Sequence, residues 1–185
     1  MKFLRSYTGA MVVMVVVIAL SILLGSHRSL TAARSEVEEL FYTGADGSGQ
    51  SIATDLEQRR AVAANLESVA LRYLTEADTA GLRNARQELE RADSPREMYQ
   101  WDQALGQAAD VLMEKLEGCA LTEKDAAYLA GFRADLAAKA DTIARDPYNE
   151  RVDEFNREVL GRFPASLLGQ LTSVREAEAF RDGTE

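Results

Sequence analysis

A long uncharged segment near the amino terminus most constrains how this chain can fold. No residue at positions 6–26 carries a charge, and the centre of the segment is almost entirely Val, Met, Ile and Leu. A helix of about 20 residues spans the hydrocarbon core of a bilayer. In lipid the backbone must satisfy its own hydrogen bonds, which favours helix even for valine. We therefore predict that residues 6–26 contact membrane lipid and that residues 1–27 form a single transmembrane anchor.

A cleaved signal peptide is the alternative interpretation of this segment. Signal peptides have an apolar stretch of about 7–15 residues followed by a cleavage site of small residues. The stretch here is longer, and only residues 31–33 give a weak match to such a site. The length favours an anchor that stays attached.

The flanking charges bear on orientation in the cell membrane. Lys2 and Arg5 precede the segment, and Arg28 and Arg34 follow it. Lys and Arg near the ends of a span favour the cytoplasmic side, so this near balance leans towards an inside amino terminus. The remainder of the chain is then expected to be extracytoplasmic.

The rest of the chain, residues 28–185, predicts helices. Ala, Leu, Glu and Arg dominate, Pro occurs three times, and no strand-like alternation is present. Ser94, with Pro95 and Glu97 after it, is a strong helix start, and Thr122 with Asp125 is another. The fold class is therefore all-α: one transmembrane helix followed by an elongated antiparallel helical bundle. The predicted helices cover residues 28–42, 51–76, 80–92, 95–117, 123–145 and 148–163, with a weaker helix in residues 167–180.

Charge and rare residues exclude several functional classes. The net charge is −9, and an acidic chain repels phosphate backbones, so no nucleic-acid partner is expected. With one cysteine, Cys119, and one histidine, His27, neither an intrachain disulfide nor a typical zinc or di-iron site is expected. We predict no cofactor.

A pattern near the carboxyl terminus resembles a known family. Its spacing is I-A-x(3)-Y-N-x(2)-V-x(2)-[YF]-N-x(6)-F-P, and it begins at Ile143. This pattern resembles the C-terminal signature of the LemA family, which are bacterial membrane-anchored helical proteins. In this chain, the later positions of the pattern are occupied by Tyr148, Asn149, Val152, Phe155, Asn156, Phe163 and Pro164.

A second, less specific match lies in the predicted helix at residues 51–76. Arg59, Asn65, Leu66 and Tyr73 resemble the R-x-D-L-I-P-N-L stretch of the family and its later Tyr, but Ala61 and Ala64 replace the Asp and Pro. The anchor also lies where the family has one. The chain is thus similar to a divergent LemA family member, which implies a helical bundle of no established enzymatic activity.

The asparagines of the pattern suggest a structural role. Tyr148-Asn149 and Phe155-Asn156 are seven residues apart, so both pairs fall on one helical face. We predict that the aromatic rings fill the core and that Asn65, Asn149 and Asn156 hydrogen-bond between helices, with a ligand-binding role as the alternative. Trp101 is predicted to be a core residue, with a partner-binding anchor as its alternative.

No catalytic set is evident in the sequence. The carboxylates alternate with arginines at helical spacing, which is typical of solvated helix faces. Cys119 has no nearby histidine to activate it as a nucleophile. We therefore predict a non-enzyme. The first hypothesis is a scaffold or adaptor for other membrane or envelope proteins, with a homo-oligomer among its expected assemblies. The alternative is a sensor ectodomain that binds a ligand between helices and signals through a partner.

Overall fold

The computed structural model describes residues 7–44 and 49–182, and these residues form an all-helical protein, as predicted. Lys2, Arg5 and Ser6 lie outside the described residues, as do residues 45–48. No strand occurs in the described part of the chain. The α-helices are α1 (Tyr7–Thr43), α2 (Ile52–Ala70), α3 (Glu76–Arg91), α4 (Pro95–Glu117), α5 (Glu123–Ala144), α6 (Tyr148–Glu154) and α7 (Ala165–Thr172), and a π-helical segment, Phe155–Leu160, follows α6.

The first helix, α1, continues without a break well past the uncharged segment. Its stretch Gly9–Thr43 is long and apolar enough to cross a membrane. The apolar side chains between Met11 and Leu24 are mostly exposed, as lipid contact would require. With 37 residues and a rise of 1.5 Å per residue, α1 is about 55 Å long. A bilayer core takes about 30 Å, so the helix extends well beyond it.

The chain divides into two compact units by its internal contacts. The first joins the residues up to Glu38 with Glu150–Ala177, and the second joins Glu39–Asn149 with the residues from Glu178 onward. The predicted boundary between an anchor at 1–27 and a bundle at 28–185 stays a prediction, because it depends on where the bilayer ends.

In the second unit, α2 is the central helix. It packs against α3, α4 and α5, and α3 packs against α4. Short connections make α3 an antiparallel neighbour of both α2 and α4, whereas α5 packs chiefly on α2 and not on α4, the helix before it. Trp101 is partly buried and packs against the common core. That core consists of Ala63, Leu66, Ala70, Leu82, Ala85, Leu89, Leu105, Ala109, Leu112, Met113, Leu116, Leu129 and Leu136.

The helix starts follow from their capping residues. Ser94 and Thr122 accept hydrogen bonds from the third amide of their helices, which confirms both predicted starts. Thr75 and Asp78 form a reciprocal capping box that the sequence reading missed. For that reason α3 begins at Glu76 rather than residue 80, and α2 ends at Ala70 rather than residue 76.

In the first unit, the π-helical segment changes which residues are buried. An unbroken α-helix through residues 148–163 would place Val159 and Phe163 on the buried face with Phe155. The π-helix hydrogen-bonds i to i+5, so Leu160, five residues after Phe155, is buried instead. Val159 is exposed, and Phe163 is 81% exposed, so neither residue of the helical spacing lies in the core.

The chain after the π-helical segment differs from the single weak helix predicted for residues 167–180. Pro164 precedes α7, which ends at Thr172. Ser173 follows in the left-handed conformation with φ of 57°, a common way to end a helix. Residues 174–179 are then non-helical.

Candidate functional site

Two asparagines of the C-terminal pattern hydrogen-bond to the backbone of a non-helical segment and not to a facing helix. In the second unit, Asn149 Nδ2 donates to the Phe180 carbonyl oxygen (3.0 Å), and the Phe180 amide donates to Asn149 Oδ1 (2.8 Å). In the first unit, Asn156 makes the same pair of bonds with Ala177, at 3.0 and 2.9 Å. A side-chain amide carries an NH2 donor and a carbonyl acceptor, so it can pair with both the carbonyl oxygen and the N–H group of a single residue.

The structural role predicted for these amides therefore needs correction. Asn149 and Asn156 are half-buried and fully paired, but their partners lie in a non-helical segment. Asn65 lies exposed on α2, and no hydrogen bond of its side chain exists within the described residues. The prediction for Asn65 is wrong because residue 65 falls between the core positions Ala63 and Leu66.

Tyr148 extends this attachment within the second unit. Its side chain is fully buried, and its hydroxyl donates to the Glu178 carbonyl oxygen (2.7 Å). Its ring lies 5.3 Å from that of Phe41, near the end of α1, and the Phe41 ring lies 5.8 Å from that of Phe180. Phe180 also contacts Tyr99 of α4 edge-on, at 5.3 Å. We call Phe41, Tyr99, Tyr148 and Phe180 the aromatic cluster.

Beside the aromatic cluster lies a buried ion pair. Arg59 of α2 donates from Nε to Asp102 Oδ1 of α4 (2.6 Å), and from Nη1 to the Leu136 carbonyl oxygen of α5 (2.7 Å). The two side chains are 6% and 5% exposed. Arg59 thus ties three helices together, which gives a structural role to this residue of the second family-like match.

A polar cavity of about 490 Å³ opens against this ion pair. Arg59 Nη2 and Asp102 Oδ2 have no described hydrogen bond, yet neither is sealed from solvent. Gly106 lines the cavity, and a Cβ there would lie in contact with Arg59 Nη2 at 3.4 Å, so a larger side chain at this position would narrow the space. The lining is completed by Tyr99, Gln103, Gln107, Asp110, Ala140, Ile143, Ala144, Asn149, Phe180 and Arg181.

Burial dominates the electrostatics of Asp102. Loss of solvent raises the pKa of its carboxyl group, and the charge and hydrogen bond of Arg59 counteract only part of this rise. Arg59 therefore favours the ionised form of a carboxyl group whose burial disfavours that form. Together the pair places a donor of Arg59 beside an acceptor of Asp102 at the cavity.

A second polar cluster lies where α5 begins. Asp125 is buried and accepts hydrogen bonds from the Tyr73 hydroxyl (2.6 Å), Arg72 Nη1 (2.7 Å) and the Thr122 hydroxyl (2.9 Å). The Tyr73 hydroxyl also accepts from the Thr122 amide (3.2 Å). The hydrogen bond from Tyr73 lowers the pKa of Asp125, aided by the hydrogen bond from Thr122 and the charge of Arg72, and these effects outweigh the rise caused by burial. Every group here caps or joins helices, so the cluster is structural.

Further ion pairs join α2 to its neighbours. Glu67 is buried and forms ion pairs with Arg83 (2.5 Å) and Arg86 (3.3 Å) of α3. Asp55 is buried and receives Lys139 of α5 (3.0 Å). Buried charges of this kind are paired because an unpaired one would be costly.

The structure thus assigns most of the motif residues to packing or backbone attachment. Leu66, Val152 and Phe155 are buried, whereas Phe163 is exposed and Pro164 lies at the start of α7. Sequence reasoning missed Phe41, Asp102 and Phe180, and it gave Asp125 a capping role without its partners Tyr73 and Arg72. Asp102 carried a usable signal, since it lies three residues before Leu105 on the apolar stripe of α4.

The described residues contain no group of three or more His, Cys, Asp or Glu side chains able to hold a metal ion. The chain matches no family model, no curated protein and no solved structure.

Proposed function

We propose that the protein is a non-catalytic, membrane-tethered interaction module, a divergent relative of the LemA family that serves as a scaffold for another membrane or envelope protein. The observation that carries this proposal is the open face of α5. In its contacts with other helices, α5 packs chiefly on α2, and Asp125, Leu129 and Leu136 are its buried residues. Small side chains cover much of the remaining surface, namely Ala126, Ala127, Ala130, Ala134, Ala137 and Ala138.

Such a face suits a helical partner. The distance between packed helices depends on the side chains at the contact, and alanines permit close approach. Ordering an alanine also costs no side-chain rotamer freedom, so this face of α5 would lose little side-chain entropy when a partner helix binds. A helix from another membrane protein, or α5 of a second copy, fits this description.

The remaining parts of the proposal are supported by α1 and by the pattern residues. An exposed apolar helix longer than a bilayer core is what an anchor requires. The Tyr-Asn and Phe-Asn pairs share one structural task, attachment of the chain's last segment, which suits residues of a family signature. The charge balance around the segment favours an extracytoplasmic bundle.

Site-specific photocrosslinking in native membranes tests the proposal. A photoreactive residue at Ala130 or Ala134 should give the same reproducible adduct, because the two positions share one face of α5. The matched control is Gln87, an exposed position on α3, which should give none. An adduct of twice the chain mass would identify a second copy as the partner. Failure of both α5 positions to give a reproducible adduct would overturn the proposal.

The polar cavity favours a second candidate function, a ligand sensor. Its walls include Phe180 and Tyr99 of the aromatic cluster, and Phe41 of that cluster belongs to α1. A ligand that displaced Phe180 would therefore move a residue in contact with the helix that carries the anchor. Native mass spectrometry of the protein taken from its own membranes tests this function. A sensor would retain a small molecule that a Gly106→Val variant, with its narrowed cavity, lacks.

A further inference from the structure

Three apolar side chains that are close in sequence are exposed in the first unit. Phe163, Leu167 and Leu171 are 81%, 50% and 63% exposed. Leu167 and Leu171 are four residues apart, so they share one face of α7. The opposite side of α7 is covered, because Gly169 is buried and lies close to Leu160 of the π-helical segment. We call Phe163, Leu167 and Leu171 the apolar patch.

The patch belongs to the same unit as the proposed anchor. Residues 150–177 cluster with the part of α1 that precedes residue 39. Leu30, in this part of α1, is buried, so α1 is covered at that level.

The burial of Leu30 places the covered part of α1 close to the bilayer surface. The uncharged segment ends at Ser26, four residues before Leu30. Four residues advance about 6 Å along an α-helix. The unit that carries the apolar patch therefore covers α1 close to the end of the proposed membrane-spanning segment.

The surroundings of the patch are those of a membrane interface. Arg157 and Arg162 expose most of their side chains just before it, and both pair with Glu158. An apolar face rimmed by polar and charged groups is typical of segments that lie in the headgroup region. Since Glu158 offsets the arginines, attraction to anionic lipid is not needed, and apolar burial supplies the affinity.

We propose that the apolar patch inserts into the headgroup region of the bilayer that holds α1, so that the first unit contacts lipid at two places. This inference rests on the proposed membrane anchoring. Its consequence is a fixed orientation of the unit at the membrane, since a single helix alone leaves the attached residues free to rotate about it.

Quenching by brominated lipid tests the proposal on the full-length chain. Trp101 is the chain's one tryptophan, so a Trp101→Phe background receives a single reporter at Phe163→Trp. The protein is placed in nanodiscs of phosphatidylcholine, with or without bromine on the acyl carbons near the headgroup. Interfacial segments enter the membrane by ~5–10 Å, and we expect bromine to reduce emission about twofold.

Three further reporters separate the possible results. Leu20→Trp reports on α1, Val111→Trp reports on an exposed site of α4, and Leu171→Trp repeats the test should Phe163→Trp not fold. The proposal predicts quenching at 163, 171 and 20 and none at 111. Quenching at 20 without quenching at 163 and 171 overturns the patch and leaves the anchor in place. Absence of quenching at 20 overturns the anchoring and, with it, this inference.

Discussion

Replacing Arg59 by methionine is the sharpest test of the packing around the cavity. The change removes the partner of a carboxylate that is 5% exposed and also the donor to the Leu136 carbonyl. Removing one partner of a buried ion pair typically costs about 3–5 kcal/mol. An exposed pair such as Arg151–Glu154 is worth only about 0–1 kcal/mol, so Arg151→Met is the matched control.

The loss of stability caused by Arg59→Met should depend on pH in a defined direction. Burial already raises the pKa of Asp102 in the presence of Arg59, and without Arg59 the pKa should rise further. A carboxyl whose pKa is higher in the folded state than in the unfolded state holds a proton that unfolding releases. Its stabilising contribution is therefore present at low pH and is lost as the pH rises through the folded pKa. The difference between variant and wild type should thus be largest at neutral pH and should shrink on acidification.

Urea unfolding of the full chain in detergent micelles measures this difference. Trp101 fluorescence reports on the bundle alone, since α1 contains no tryptophan. A double variant, Arg59→Met with Asp102→Leu, should recover much of the lost stability, because no unpaired charge then remains buried. If Arg59→Met lowered the free energy of unfolding by less than about 1 kcal/mol, as for an exposed pair, Arg59 and Asp102 would not be a buried ion pair of this kind. A double variant less stable than Arg59→Met would contradict the same interpretation.

Three further predictions concern other parts of the chain. Asn149→Ala should lower the free energy of unfolding by about 1–3 kcal/mol and expose the Phe180 amide to hydrogen exchange. The control Asn65→Ala should change it by no more than about 0.5 kcal/mol. Equal losses in the two variants would contradict the attachment of Phe180 by Asn149. Hydrogen bonds from Lys115 and, to a smaller extent, Thr75 lower the pKa of Asp78 to about 2. The wild-type protein should therefore lose stability as the pH falls from 3.8 towards 2. In acid unfolding, Lys115→Met should lose less stability over that range. Cys119, which is half-buried, should react with an impermeant maleimide in intact cells; labelling only after the cells are opened would place the bundle in the cytoplasm.

Local signals explain why the helices could be predicted. Ser94 with Pro95, and Thr122 with Asp125, act through hydrogen bonds within one turn, so four residues suffice to locate each start. The uncharged segment likewise predicts α1 by its own composition. The break between α5 and α6 follows from Pro147 and from Asp146, which accepts the Tyr148 amide (2.8 Å).

The candidate site could be predicted only in part, because its partners are distant in sequence. Asn149 and Phe180 are 31 residues apart, and Arg59 and Asp102 are 43 apart, so no periodicity links them. The π-helical segment was missed for a different reason. Phe155, Val159 and Phe163 fit ordinary helical spacing, and only the packing of Leu160 and Gly169 reveals the altered register.

Our proposals depend above all on α1 holding the protein in a membrane. Alkaline carbonate extraction of membranes from cells that make the full-length chain tests this anchoring. We predict that the intact chain, with its uncharged segment still attached, stays in the membrane pellet. Recovery of the chain in the carbonate supernatant would contradict the claim.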